Sequence, residues 1–172
     1  MPRHILLVGL PGSGKSTVGR LVSKGLPAPL VDIDQLLVRQ MGRPVSQIFG
    51  MIGEAGFRQM EREAARAAIA GVPAVVVPGA GWAAQPGEVD AALESCLLIY
   101  LKCLPDTALK RSETGDVRPL LTGGNPAQRV RELLQAREPF YAKAHAEVDA
   151  DARPSEVVAA EVVELARRCG GW

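Results

Sequence analysis

The stretch Gly9-Leu10-Pro11-Gly12-Ser13-Gly14-Lys15-Ser16-Thr17 decides the fold. It matches G-x-x-x-x-G-K-[ST], in which the glycines let the backbone turn tightly and aim its N–H groups inward. An apolar run, His4 to Val8, precedes it. The stretch that follows, Lys15 to Leu26, has apolar residues near helical spacing (Val18, Leu21, Val22) and reads as a helix. Strand, glycine loop and helix in that order cradle a phosphate, because the loop N–H groups and the positive end of the helix dipole converge on it. Lys15 reaches the β- and γ-phosphates of a nucleotide, the Ser16 hydroxyl suits Mg²⁺, and Gly12, Ser13, Gly14 and Thr17 complete the cradle. From average residue usage, a chance match anywhere in the chain has a frequency under ~1%. The loop alone does not separate a kinase from a switch GTPase or a motor ATPase. The Asn-Lys-x-Asp base reader of guanine-specific enzymes is absent, and 172 residues leave no room for a motor's coupling elements.

Outward from the loop, short apolar runs alternate with longer amphipathic stretches, which predicts βα units around a parallel sheet. Pro29 to Ile33 reads as a second strand ending in two aspartates, followed by a helix over Asp34 to Met41. Ser46 to Gly71 reads as largely helical, with interruptions around Gly53 and Gly56. Ala74 to Val77 is a strand stopped by Pro78-Gly79, Gly87 to Glu94 a helix, and Leu97 to Leu101 a buried strand. Asp106 to Arg111 is helical, Ser112 to Asn125 a glycine-rich loop, and Pro126 to Ala144 a helix opened by proline at a favoured first-turn position. Glu147 to Asp149 reads as an edge strand and Pro154 to Arg168 as the closing helix. The expectation is one α/β domain over residues 1–172, with five parallel strands and helices on both faces. Ligands of such sheets bind beyond the carboxyl ends of the strands. The phosphate loop, the two aspartates and the Pro-Gly turn all fall at that edge.

Composition narrows the class. The formal net charge is +1, against the clearly basic balance of a nucleic-acid-binding domain, so no nucleic-acid partner is expected. No apolar run approaches the ~18 residues of a membrane span, and Met1 to Gly9 does not read as a signal peptide, so a cytoplasmic location is expected. Cys96, Cys103 and Cys169 match no metal or redox spacing, and His4 and His145 are isolated. No long heptad or large apolar stripe appears, and a monomer is expected.

Several polar residues point to an acceptor for the phosphoryl group. In a strand, Asp32 and Asp34 point to the same side. One then serves Mg²⁺ through water and the other accepts a hydrogen bond from an acceptor hydroxyl; the bland alternative is a turn or N-cap pair. Arg58 and Glu61 share a helix face, as a surface ion pair or as an arginine fork held ready for a carboxylate. Phe49 and Phe57 bracket this segment as core or as a wall of an acceptor pocket. Arg118, in the Gly-rich loop, can neutralise a transferring phosphoryl group if that loop closes. Arg111 can stack on adenine, and Arg137, four residues before Tyr141 on a helix, is a second cation for an anionic acceptor.

Taken together, the phosphate loop, Asp32-x-Asp34, Phe57-Arg58-x-x-Glu61, Gly79-x-Gly81, Arg118-Pro119-Leu120-Leu121 and Arg137-x-x-x-Tyr141 resemble the shikimate kinase family in order and spacing. The resemblance runs from about Ile5 to the last helix. It implies a nucleoside-monophosphate-kinase-like P-loop fold with a mobile lid over about 112–125 and an acceptor-binding segment over about 33–61. It implies transfer from ATP–Mg²⁺ to the 3-hydroxyl of shikimate. By the same resemblance Lys15 and Arg118 contact phosphates, Ser16 and Asp32 serve Mg²⁺, and Asp34 orients the hydroxyl. Arg58 and Arg137 bind the carboxylate, and the turn Gly79-Ala80-Gly81 touches the acceptor through backbone N–H groups. Arg111 and Arg153-Pro154-Ser155 flank adenine.

One departure concerns the acceptor. Where the family usually has three glycines, this chain reads Pro78-Gly79-Ala80-Gly81-Trp82. A positive φ at Ala80 would cost on the order of 1 kcal/mol, its methyl would occupy acceptor space, and Trp82 is bulky beside a small pocket. A kinase for another polyol acid such as gluconate, and a non-catalytic nucleotide-binding relative, are the alternatives.

Overall fold

The computed structural model describes residues 1–113 and 124–172. Its centre is β1 (His4–Val8), buried along its whole length. The two-residue period of a strand divides its side chains between two cores: Ile5 and Leu7 face one, Leu6 and Val8 the other. On the Ile5 side, α1 (Lys15–Gly25) contributes Val18 and Val22, and α7 (Ser155–Cys169) contributes Val158, Val162 and Ala166. On the opposite side lie α2 (Ile33–Met41) with Leu37, α3 (Val45–Ile69) with Phe57 and Ala65, and α4 (Glu88–Ser95) with Val89. Ala108 of α5 (Pro105–Glu113) and Val130 and Tyr141 of α6 (Pro126–Tyr141) complete that layer.

The sheet adds β2 (Leu30–Asp32), β3 (Val75–Val77), β4 (Cys96–Lys102) and β5 (Ala146–Asp149), in the order β2-β3-β1-β4-β5. Every pairing is parallel, with Ile5 opposite Val75 and Leu97, and Asp32 opposite Val77. The strands therefore end together, and the phosphate loop, Asp32 and the turn after Val77 sit side by side at one edge.

Several boundaries differ from the sequence reading, most by a residue or two, and those near the site have identifiable causes. β2 stops at Asp32, because the Asp32 carboxylate caps α2 by accepting the Gln35 N–H at 3.2 Å. Asp34 thus lies in the first helical turn, and strand alternation is not what brings the two aspartates together. In α3 the break falls only at Gly53 (φ 72°, ψ 175°), a conformation essentially reserved for glycine, while Gly56 is helical. α5 runs through Glu113, two residues into the expected loop, and α6 ends at Tyr141 rather than Ala144. Residues 114–123 of the expected lid, Arg118 among them, lie outside the described residues.

The three cysteines are free, two of them buried, and no cluster of metal-ligating side chains occurs among the described residues. Both histidines are structural: His4 Nδ1 accepts the Ala74 N–H at 3.2 Å and His145 Nδ1 the Leu98 N–H at 3.1 Å. No described helix is long and apolar enough to cross a membrane.

Candidate active site

At the carboxyl edge of the sheet a cleft of ≈ 360 Å³ is lined by Gly12, Gly14, Lys15, Ser16 and Thr17, by Asp32 and Asp34, and by Val77 to Ala80, with Arg111 and Ser155 at its border. The loop needs glycine at residue 12, where φ is +81° and a Cβ would collide with the Ala108 carbonyl oxygen. Lys15 opens α1. Its ammonium donates to the carbonyl oxygens of Gly9 at 2.8 Å and Leu10 at 2.7 Å, which holds it against its own loop. The Ser16 hydroxyl donates to Asp32 Oδ2 at 2.6 Å. This pair of hard oxygen ligands fits Mg²⁺, which takes one or two protein oxygens and completes its octahedron with water and phosphate oxygens.

The next turn approaches the site closely. A Cβ on Gly79 would overlap the Glu61 carboxylate and lie 3.1 Å from Asp34 Oδ1, so a side chain there would displace the buried Glu61. A Cβ on Gly81 would meet the Arg58 guanidinium, so that group also borders the turn. Ala80 is not among the residues with positive φ, so the expected backbone cost does not arise; the residue lines the cleft. Trp82 does not crowd the pocket either. It is 1% exposed, packed in the core beneath the turn, with Nε1 unpartnered.

Around the turn gathers a polar cluster. Arg58 Nη1 donates to Glu61 Oε2 at 3.1 Å, and the guanidinium lies 5.8 and 5.9 Å from the ring centroids of Phe49 and Phe57, themselves 5.0 Å apart. Glu61 is fully buried, which rules out a surface ion pair. Burial pushes its carboxyl above the usual glutamate range, with Arg58 opposing the shift. Arg137 is 5% exposed, and among the described residues its Nη1 has no hydrogen-bond partner; Glu61 Oε1 likewise has none. Buried polar atoms of this kind call for a ligand or water. One turn on along α6, the Tyr141 hydroxyl donates to the Ala80 carbonyl oxygen at 2.9 Å, with that of Gly9 at 3.2 Å, and so touches both the acceptor turn and the phosphate loop. Burial raises this phenol to about 12, so it stays a donor.

On the nucleotide side, Arg111 borders the cleft and donates to the carbonyl oxygens of Ser13 at 3.4 Å and Ala150 at 3.0 Å. Arg153 does not line the cleft: its fork is held by the Asp149 carbonyl oxygen at 2.7 Å and Glu161 at 2.8 Å. Pro154 stands at the N-cap of α7, and it is Ser155 that reaches the cleft. Sequence reasoning missed Gln85 and Arg62, whose side chains extend the Glu61 cluster and belong to no motif.

A phosphate loop opening a helix, a magnesium-suited Ser–Asp pair and a second polar cluster beside them define a P-loop phosphotransferase with a small-molecule acceptor. The comparisons sharpen this. The sequence model of the shikimate kinase family matches residues 11–167. A shikimate kinase of Moorella thermoacetica is 38% identical over 164 residues, 95% of this chain and 94% of that protein. The chain belongs to the shikimate kinase family. Its fold matches the shikimate kinase from Acinetobacter baumannii, solved in complex with shikimate, with a TM-score of 0.92 at 29% identity, covering 98% of this chain and 94% of that one. A gluconokinase from Sinorhizobium meliloti shares the fold alone, with a TM-score of 0.67 at 19% identity over 99% of this chain and 94% of that one.

Proposed function

We propose that this chain transfers the γ-phosphoryl group of ATP to the 3-hydroxyl of shikimate, giving shikimate 3-phosphate and ADP. The observation that carries the reading is the buried, unpartnered Nη1 of Arg137 in one cluster with Arg58 and Glu61, beside a cleft that ends in a phosphate loop. Two planar cations around a small pocket suit an acceptor with a carboxylate.

The loop N–H groups and the N-terminus of α1 hold the nucleotide phosphates, and Lys15 leaves its loop carbonyls to reach the β- and γ-oxygens. Ser16 and Asp32 would hold Mg²⁺, which neutralises charge on those oxygens. Arg58 and Arg137 grip the carboxylate, and the backbone of Gly79, Ala80 and Gly81 borders the ring. Phe49 and Phe57 support Arg58. Asp34 accepts the hydrogen bond of the 3-hydroxyl and takes its proton as the new O–P bond forms and the bond from the γ-phosphorus to the ADP oxygen breaks. A loose transition state asks little of a base, so positioning supplies most of the rate. Arg118, from outside the described residues, is the further cation assigned to the transferring group. Arg111 and Ser155, which line the cleft, border adenine, with Arg153 and Pro154 supporting that edge from the start of α7. The proposal includes a cytoplasmic monomer.

The position of the new phosphate tests the assignment. Phosphorus NMR of the product with shikimate as acceptor is expected to show coupling to the C3 proton; a phosphate on another hydroxyl, or none, would contradict it.

A further inference from the structure

We infer that Gln85 is a positioning residue for the acceptor: its amide fixes Glu61, and through Glu61 the Arg58 guanidinium, in the geometry that receives the acceptor carboxylate. The inference rests on the reading of Arg58 as an acceptor ligand.

Gln85 is 7% exposed, and its Nε2 donates to Glu61 Oε2 at 2.9 Å. The same oxygen accepts from Arg58 Nη1 at 3.1 Å, and a carboxylate oxygen has lone pairs for both. The other end of the amide is also held, because Arg62 Nη1 donates to Gln85 Oε1 at 3.4 Å. A flipped amide would turn its NH₂ toward a guanidinium and its oxygen toward a carboxylate. The chain Arg62–Gln85–Glu61–Arg58 therefore has one satisfied arrangement.

The backbone carries Gln85 to this place on the acceptor turn itself. The Trp82 N–H donates to the Gly79 carbonyl oxygen at 3.1 Å and the Gln85 N–H to that of Trp82 at 3.0 Å, so the acceptor turn runs directly into the 3-10 helix Trp82–Ala84, with Gln85 at its C-cap. The buried Trp82 indole anchors it. The charged groups felt by Glu61 are Arg58 from its own helix, Asp34 from α2 and Arg137 from α6. Gln85 is the neutral donor among them. It stabilises the ionised carboxylate without competing for Arg58, and it leaves Oε1 beside Gly79. Without that donor, Arg58 would be the one remaining hydrogen-bond partner of Glu61 among the described residues, and the pair would be free to rotate together.

The test is steady-state kinetics of the full chain and its Gln85→Met variant, with ATP and shikimate varied in turn across a pH series. Loss of a hydrogen bond to a charged group is expected to raise KM for shikimate about tenfold and to leave KM for ATP within about twofold. The acid limb of kcat/KM for shikimate should move to higher pH. An unchanged KM for shikimate, an equal rise in both KM values, or an unmoved acid limb would overturn the inference. If thermal melts show that Gln85→Met does not fold, Arg62→Met replaces it. That variant loosens the far end of the amide and should raise KM for shikimate about threefold, and no change there would overturn the inference. Absence of shikimate turnover by the wild-type chain would remove the functional reading and this inference with it. Normal wild-type turnover beside an unaltered variant would remove this inference alone.

Discussion

The Ser16 hydroxyl donates to Asp32 Oδ2 at 2.6 Å, while Oδ1 of the same carboxylate accepts the Gln35 N–H at 3.2 Å. One side chain thus caps α2 with one oxygen and with the other meets the Ser16 hydroxyl at the position proposed for Mg²⁺. Asp32→Asn keeps an acceptor for the cap but loses the charge. It is expected to need more Mg²⁺ for half-maximal rate while unfolding at nearly the wild-type denaturant concentration. Asp32→Ala loses both functions and should cost a further ~1 kcal/mol of stability. Magnesium titration and denaturant unfolding separate the two effects. An Asp32→Asn enzyme with wild-type magnesium dependence would free Asp32 of any metal role.

Arg137 presents an unpaired buried nitrogen, so its removal should fall on the acceptor rather than on ATP. Truncating one partner of a buried charge pair costs about 2–5 kcal/mol, which puts the loss of shikimate affinity in Arg137→Ala at around a hundredfold. Arg137→Lys keeps the charge without the planar fork and should recover only part of it. Unchanged shikimate affinity by calorimetry would reduce Arg137 to a structural cation.

Ala80 has an ordinary backbone conformation and lines the cleft, where a methyl group would take acceptor space. Ala80→Gly should therefore lower stability by about 0.5–1 kcal/mol through backbone entropy, while KM for shikimate falls as the methyl leaves. Thermal melts and kinetics on the same preparation check both signs. A rise in KM would mean that the methyl contacts the acceptor favourably.

Glu61 gives a pH signature. Its folded pKa is raised above 4.5, first by burial, with Arg58 acting against the shift. Folding therefore favours the protonated form. The stability this confers is fully present below the unfolded value and is lost as pH rises through the folded one, so ionised Glu61 is a cost at neutral pH. Glu61→Gln should unfold no more easily than wild type at pH 7 and show a flatter stability profile above about pH 4.5. It should bind shikimate more weakly, because Arg58 loses its ion pair. Lower stability at pH 7 with unchanged binding would contradict this account.

The phosphate half of the site was legible because its information is local: nine consecutive residues set the loop, the helix start and the lysine. The acceptor half is non-local. Gln85 and Glu61 stand 24 positions apart and meet only through packing of α3 against the acceptor turn, so no spacing pattern announces them. Asp32 and Asp34 line one cleft, but strand alternation is not the reason, since capping by Asp32 ends the strand two residues before Asp34. Trp82 was expected to crowd the pocket, because side-chain size is visible in sequence and direction is not; the 3-10 turn sends its indole into the core. Gly53 and Gly56 looked equivalent, and only the backbone shows which of them breaks the helix.

ADP release by the purified chain with ATP and Mg²⁺, measured alone, with shikimate and with gluconate, tests the central claim most directly. The account predicts strong stimulation by shikimate and none by gluconate. ATP binding with equal or no stimulation by the two acids would contradict it.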